Sequence, residues 1–122
     1  YASVYHEEFQ KLEELILPPD DDLHRNAWHL YPIMVRPETL TTDRDGIQEA
    51  VGAENVGTGI HFRPVHQHPY YRQKYEYAEG SLPRSEFIGE RVFSLPLSPL
   101  MTEDDVQFVI TAVKKVISHY RK

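Results

Sequence analysis

The chain has 122 residues, 40% of them hydrophobic, and a formal net charge of −6 from 13 basic and 19 acidic residues. That size fits one domain with a modest core, or a piece of something larger, and the acidic balance argues against nucleic acid or an anionic membrane surface as partner. Without cysteine there is no disulfide framework and no thiolate chemistry, so a reducing, cytoplasmic setting is expected; no apolar run of about 18 residues or leader pattern predicts a membrane span or signal peptide.

The first residue is Tyr1, inside what reads as a helix already under way, which predicts a fragment. Tyr5, Phe9, Leu12 and Ile16 recur at helical steps, so one amphipathic helix should run to Ile16, where Pro18 and Pro19 must end it. Asp20, Asp21 and Asp22 read as a solvated turn, because a calcium loop needs further ligands at regular spacing and none follow. Residues 27–36, rich in β-branched and aromatic side chains, predict a strand. Pro32 within it lacks a ladder donor and asks for an edge or a bulge, and His29 reads as a packed or edge histidine. Thr42 and Asp45 resemble a capping box for a second helix over about 43–51, with Gly52 ending it. Residues 56–62 predict a second strand in which Gly57 and Gly59 leave room for close backbone approach, so the helix between the strands suggests a β-α-β unit.

Pro69 is tolerated at a helix start and predicts one or two turns to Tyr75, followed by a loop over 76–82. Phe87, Ile88 and Val92 give a short helical pattern from Ser85, weakened by Gly89. Residues 94–97 form a third extended segment that Pro96 and Pro99 keep brief. Thr102 is the clearest cap, with Glu103, Asp104 and Asp105 in the first turn where the helix dipole favours acids. Val106, Val109, Ile110, Val113 and Ile117 then mark one face of a terminal helix. The expected fold is α+β, or an α/β layer: a sheet of about three strands covered by helices, with a long C-terminal helix.

The chemistry concentrates in residues 56–71, VGTGIHFRPVHQHPYY. His61, His66 and His68 could offer three imidazoles to zinc, but their spacing fits no standard motif and Pro64 and Pro69 restrict bending. A histidine beside Arg63, whose guanidinium can hold a carboxylate or phosphate oxygen pair, suits an anionic ligand. These residues leave open a stand-alone histidine-rich module for a metal or small anion. Nucleophile and phosphate-loop motifs are missing, and none of Lys11, Lys74, Lys114, Lys115 and Lys122 sits in a pattern that suggests a buried Schiff-base lysine. The chain alone lacks a complete catalytic set.

Two stretches then carry a resemblance. GTGIHFRPVH followed by Tyr70, Tyr71 and Arg72, and VFSLPLSPLMTEDDV, resemble in order and separation the C-terminal small domain of the DegT/StrS family of sugar aminotransferases. The similarity covers nearly the whole chain. It implies residues 1–17 as a linker helix from a large domain and 18–122 as the small domain of a fold-type I enzyme dependent on pyridoxal phosphate. The implied reaction moves an amino group from glutamate to a nucleotide-linked keto-sugar. In the family the aldimine lysine and the aspartate on the pyridine nitrogen lie in the large domain, so this fragment should not transaminate by itself. The implied partners are that large domain and a second subunit of a homodimer. His66 matches the second histidine of the family's H-F-x-x-x-H pattern and is expected near cofactor and sugar. His61, Phe62 and Arg63 should line the same pocket, with Tyr71 nearby, and no metal is implied. Pro83-Arg84-Ser85 stands where many members have Pro-x-Ala-Glu, and Gly46 and Gly89 interrupt helices usually free of glycine, each costing about 1 kcal/mol relative to alanine.

Overall fold

The computed structural model describes residues 1–19 and 26–122, so the turn expected at Asp20, Asp21 and Asp22 lies outside the described residues. A three-stranded sheet runs in the order β1 (Leu15–Ile16), β2 (Tyr31–Val35) and β3 (Val92–Leu95). The helices are α1 (Ala2–Phe9), α2 (Arg44–Ala53), α3 (Pro69–Tyr75), α4 (Pro83–Arg91) and α5 (Glu103–Tyr120). The α+β layer with a long terminal helix is the expected class.

Strand β2 buries Tyr31, Ile33 and Val35 and leaves Pro32 and Met34 half-buried, the alternation of a sheet with one face on the core. Tyr5 and Phe9 of α1, Ile47 and Val51 of α2, and Val109, Val113 and Ile117 of α5 join them in one cluster. Helix α5 forms as expected: Thr102 Oγ1 accepts from Asp105 N while Asp105 accepts from Thr102 N, a complete capping box.

The β-α-β unit does not form. Both strand pairs are antiparallel, and of residues 56–62 only Gly59 pairs, through an isolated bridge to Ser94. The first helix stops at Phe9 rather than Ile16, because Leu15 and Ile16 pair with Val35 and Met34 as an unforeseen strand. β2 is therefore central, not an edge, yet Pro32 costs no ladder bond. Both backbone groups of Ser94, the residue opposite Pro32, bond to Gly59, so Pro32's missing donor faces the other side, where β1 has already ended. β3 begins two residues earlier than expected and ends at Leu95.

Helix α2 is capped by Asp43, whose carboxylate accepts from Gly46 N, and not by Thr42. It runs through Gly52 to Ala53, and Asn55 adopts the positive φ that ends it. His29 is exposed, outside the strand. Among the described residues no helix is long and apolar enough to cross a membrane.

Candidate functional site

Two close backbone approaches hold residues 56–71 against the fold. Gly59 exchanges both backbone hydrogen bonds with Ser94 of β3, at 3.2 and 2.7 Å. A Cβ on Gly59 would lie 2.6 Å from the His61 ring, so glycine leaves room for the imidazole where it stands. His61 Nδ1 meets the hydroxyl of buried Ser94 at 3.0 Å. Further along, Pro64 is buried against Gly89 of α4, where a Cβ would stand 2.3 Å from the proline Cδ. α4 is in turn tied to α2, since Arg44 Nη1 donates to Gly89 O at 3.3 Å and Val92 O at 2.7 Å, satisfying carbonyls at the helix end.

Pro64 leads into a single 3-10 turn, Val65–Gln67, that buries His66. The His66 Nε2 lies 3.0 Å from Glu86 Oε1. Glu86 sits in the first turn of α4 and reaches back: Oε1 accepts from Leu82 N at 3.1 Å and Oε2 from Gly80 N at 2.9 Å. The Leu82 N–H first, then His66 and the Gly80 N–H, hold the Glu86 carboxyl below its ordinary range against the opposing effect of desolvation. An ionised carboxylate only accepts, so His66 Nε2 carries the proton and Nδ1 is the ring nitrogen left for a ligand.

Around this pair the surface is concave. A cleft of about 180 Å³ is lined by Arg63, His66, Gln67, Arg72, Tyr77, Glu79 and Glu86. An adjoining hollow of about 440 Å³ has His66 again, with Val65, Tyr71, Tyr75, Tyr77 and Leu82. The Tyr77 ring meets His66 edge-on at 5.8 Å, and Tyr71 and Tyr75 stack with centroids 6.3 Å apart. A guanidinium pair, an imidazole acceptor and aromatic faces together suit a ligand with anionic groups, hydroxyls and flat apolar surface.

The structure thus places His66 between two adjoining concavities, one lined also by Arg63 and the other by Tyr71. It does not bring His61 or Phe62 there: His61 is half-buried and bonded to Ser94, and Phe62 is 74% exposed, touching His61 edge-on. The three histidines do not converge either. His68 is exposed at the start of α3, and among the described residues no three His, Asp or Glu side chains gather to hold a metal. A wider hollow of about 710 Å³ lies elsewhere, between α2 and α5, beside the Lys115–Glu54 ion pair.

Glu86 escaped the sequence reading, as did the positions of Gln67 and Tyr77. Its signal was available, as an acid three residues after Pro83 at a helix start.

The DegT/DnrJ/EryC1/StrS aminotransferase family model matches residues 1–114. An uncharacterized protein of Methanocaldococcus jannaschii is 43% identical over 120 residues, 98% of this chain and 31% of its own length. The spore coat polysaccharide biosynthesis protein SpsC of Bacillus subtilis is 40% identical over 117 residues, 95% of this chain and 30% of its own. The crystal structure of S. venezuelae DesV in complex with a ketimine intermediate superposes with a TM-score of 0.81 at 29% identity, covering 95% of this chain and 30% of that one. The chain therefore spans about a third of the length of the relatives it matches.

Proposed function

The chain belongs to the DegT/DnrJ/EryC1/StrS aminotransferase family, and from that premise we propose that it is the C-terminal small domain of an enzyme dependent on pyridoxal phosphate. In this reading the parent moves an amino group from glutamate to a nucleotide-linked keto-sugar, residues 1–17 lead in from a large domain, and a second subunit completes a homodimer. The observation that supports the reading is that His66, the motif histidine, lines both a cleft shared with Arg63 and an adjoining hollow shared with Tyr71.

The residues present do not fit the cofactor by themselves. Lys11 and Lys114 pair with Glu8, Lys115 with Glu54, Lys122 with backbone carbonyls, and Lys74 donates to Tyr70; none lines either concavity at His66. The chain contributes one wall. Arg63 would hold an anionic group of the ligand, His66 Nδ1 would accept from a hydroxyl or amine, and the tyrosine rings would keep water from that side.

In the parent enzyme, His66→Ala should lower turnover about 10- to 100-fold, the loss of one hydrogen bond to a polar ligand in a dry site. Unchanged turnover would remove the functional reading of this stretch. An open reading frame that begins near Tyr1, with no lysine-bearing domain upstream, would remove the parent enzyme as well.

A further inference from the structure

We propose that Glu86 is a positioning residue that fixes His66 as the Nε2–H tautomer and thereby presents Nδ1 to the ligand as a hydrogen-bond acceptor. The proposal deepens the pocket reading of His66 and rests on it for its functional consequence, though not for its chemistry.

The geometry points to this role through how fully the carboxylate is engaged. Glu86 is 8% exposed and His66 6% exposed. Of the four acceptor directions a carboxylate offers, one receives His66 Nε2 and two receive the N–H groups of Leu82 and Gly80. The two backbone bonds lock the carboxylate plane. It cannot turn away from the imidazole without giving up both backbone hydrogen bonds. The imidazole is held on its other sides as well, by the edge of Tyr77 and by the short turn that follows Pro64. A carboxylate fixed in this way sets both the protonated nitrogen and the ring plane, the role that outer carboxylates play for histidines in catalytic and metal sites.

The ligand group implied is a donor. A free hydroxyl or an amine can donate to Nδ1, whereas a bare carbonyl or phosphate oxygen cannot. Arg63 and Arg72 in the same cleft are left to serve the anionic part of the ligand.

The test uses the parent protein labelled with ¹⁵N at histidine only, with His66→Ala to assign the ring and long-range proton–nitrogen correlations to read its tautomer at neutral pH. The wild type is expected to show His66 protonated at Nε2 alone. Glu86→Gln, which keeps an acceptor oxygen, should retain that pattern, and Glu86→Ala should lose it. A wild-type ring protonated at Nδ1 or at both nitrogens overturns the proposal without any variant, as does a ring left unchanged by Glu86→Ala. In turnover, Glu86→Ala should fall to within about twofold of His66→Ala and the double variant no further, since two residues acting as one unit are not additive. Independent, multiplying losses would make Glu86 merely structural and sink the idea. If His66→Ala turns over normally, the pocket reading fails, while the tautomer result still decides the pairing.

Discussion

Gly89 and Gly52 both lie inside helices, and the same substitution should act in opposite directions at the two sites. A Cβ on Gly52 meets nothing within 4 Å. Gly52→Ala therefore collects the helix-propensity difference, a stabilisation of about 0.8–1.0 kcal/mol. At Gly89 that gain is opposed by a collision, with the new Cβ 2.3 Å from Pro64 Cδ and 2.4 Å from Cγ, where ordinary contact begins at 3.4 Å. Pro64 cannot swing aside, because its ring closes on its own backbone and both residues are buried. Relief requires α4 and the turn carrying His66 to separate, an overpacking cost of about 1–3 kcal/mol. The cost wins: Gly89→Ala should be destabilised by up to about 2 kcal/mol, and the gap between the two variants should be about 1–3 kcal/mol. Urea denaturation of both variants, compared at constant m-value, measures that gap directly. A Gly89→Ala protein stabilised as much as Gly52→Ala would mean that the Pro64 contact relaxes freely, and the reasoning from close approach would fall with it.

Two further substitutions test the frame that holds the site. Thr102→Ala removes the side-chain half of the α5 capping box, the hydroxyl that accepts from Asp105 N, and should cost about 1 kcal/mol, while Thr102→Ser keeps the box; equal urea midpoints for the two would refute the cap. Arg121 Nη2 donates to Glu14 Oε2 at 3.1 Å, and this contact above all holds the carboxyl of buried Glu14 below its ordinary range. A depressed folded-state value stabilises above the unfolded carboxylate range and is lost as pH falls through the folded value. Arg121→Ala should therefore lower the urea midpoint at neutral pH, modestly because Arg121 is exposed, and should flatten the loss of stability toward acid. An acid limb as steep as wild type in urea melts taken across pH would argue that other carboxylates carry it.

The parts of the fold that were legible are those whose signal is local. Helix α5 announced itself by a cap, three acids and an unbroken apolar face, and α3 by its leading proline. Strand β1 was illegible for a physical reason. Leu12 and Ile16 keep helical phase with Tyr5 and Phe9, so the pattern favours helix, and only the distant partners Val35 and Met34 tip Leu15 and Ile16 into the sheet. Residues 56–62 show the converse: a β-rich composition without a strand to lie along, because β3 is flanked there by Gly59 alone. The caps of α2 were misplaced by one residue at the start and three at the end, since Thr42 and Asp43 are both good caps and Asn55 takes the positive φ that would suit Gly52.

The candidate site divides in the same way. Which residues carry chemistry could be read from composition, but which of them face one another could not, because every pairing is long-range: His61 with Ser94, Pro64 with Gly89, His66 with Glu86. Gly89 illustrates the difference. As sequence it is a weak point in a helix, worth about 1 kcal/mol of lost propensity; in three dimensions it is the gap into which Pro64 fits, one turn from the carboxylate to which Pro64's own turn delivers His66. Gly59 stands in the same relation to His61. A glycine that breaks a local rule beside a cluster of polar residues is thus a marker of close approach, and Pro64 and Glu86, three residues before Gly89, show that the weakness of α4 and the placement of His66 have a single cause.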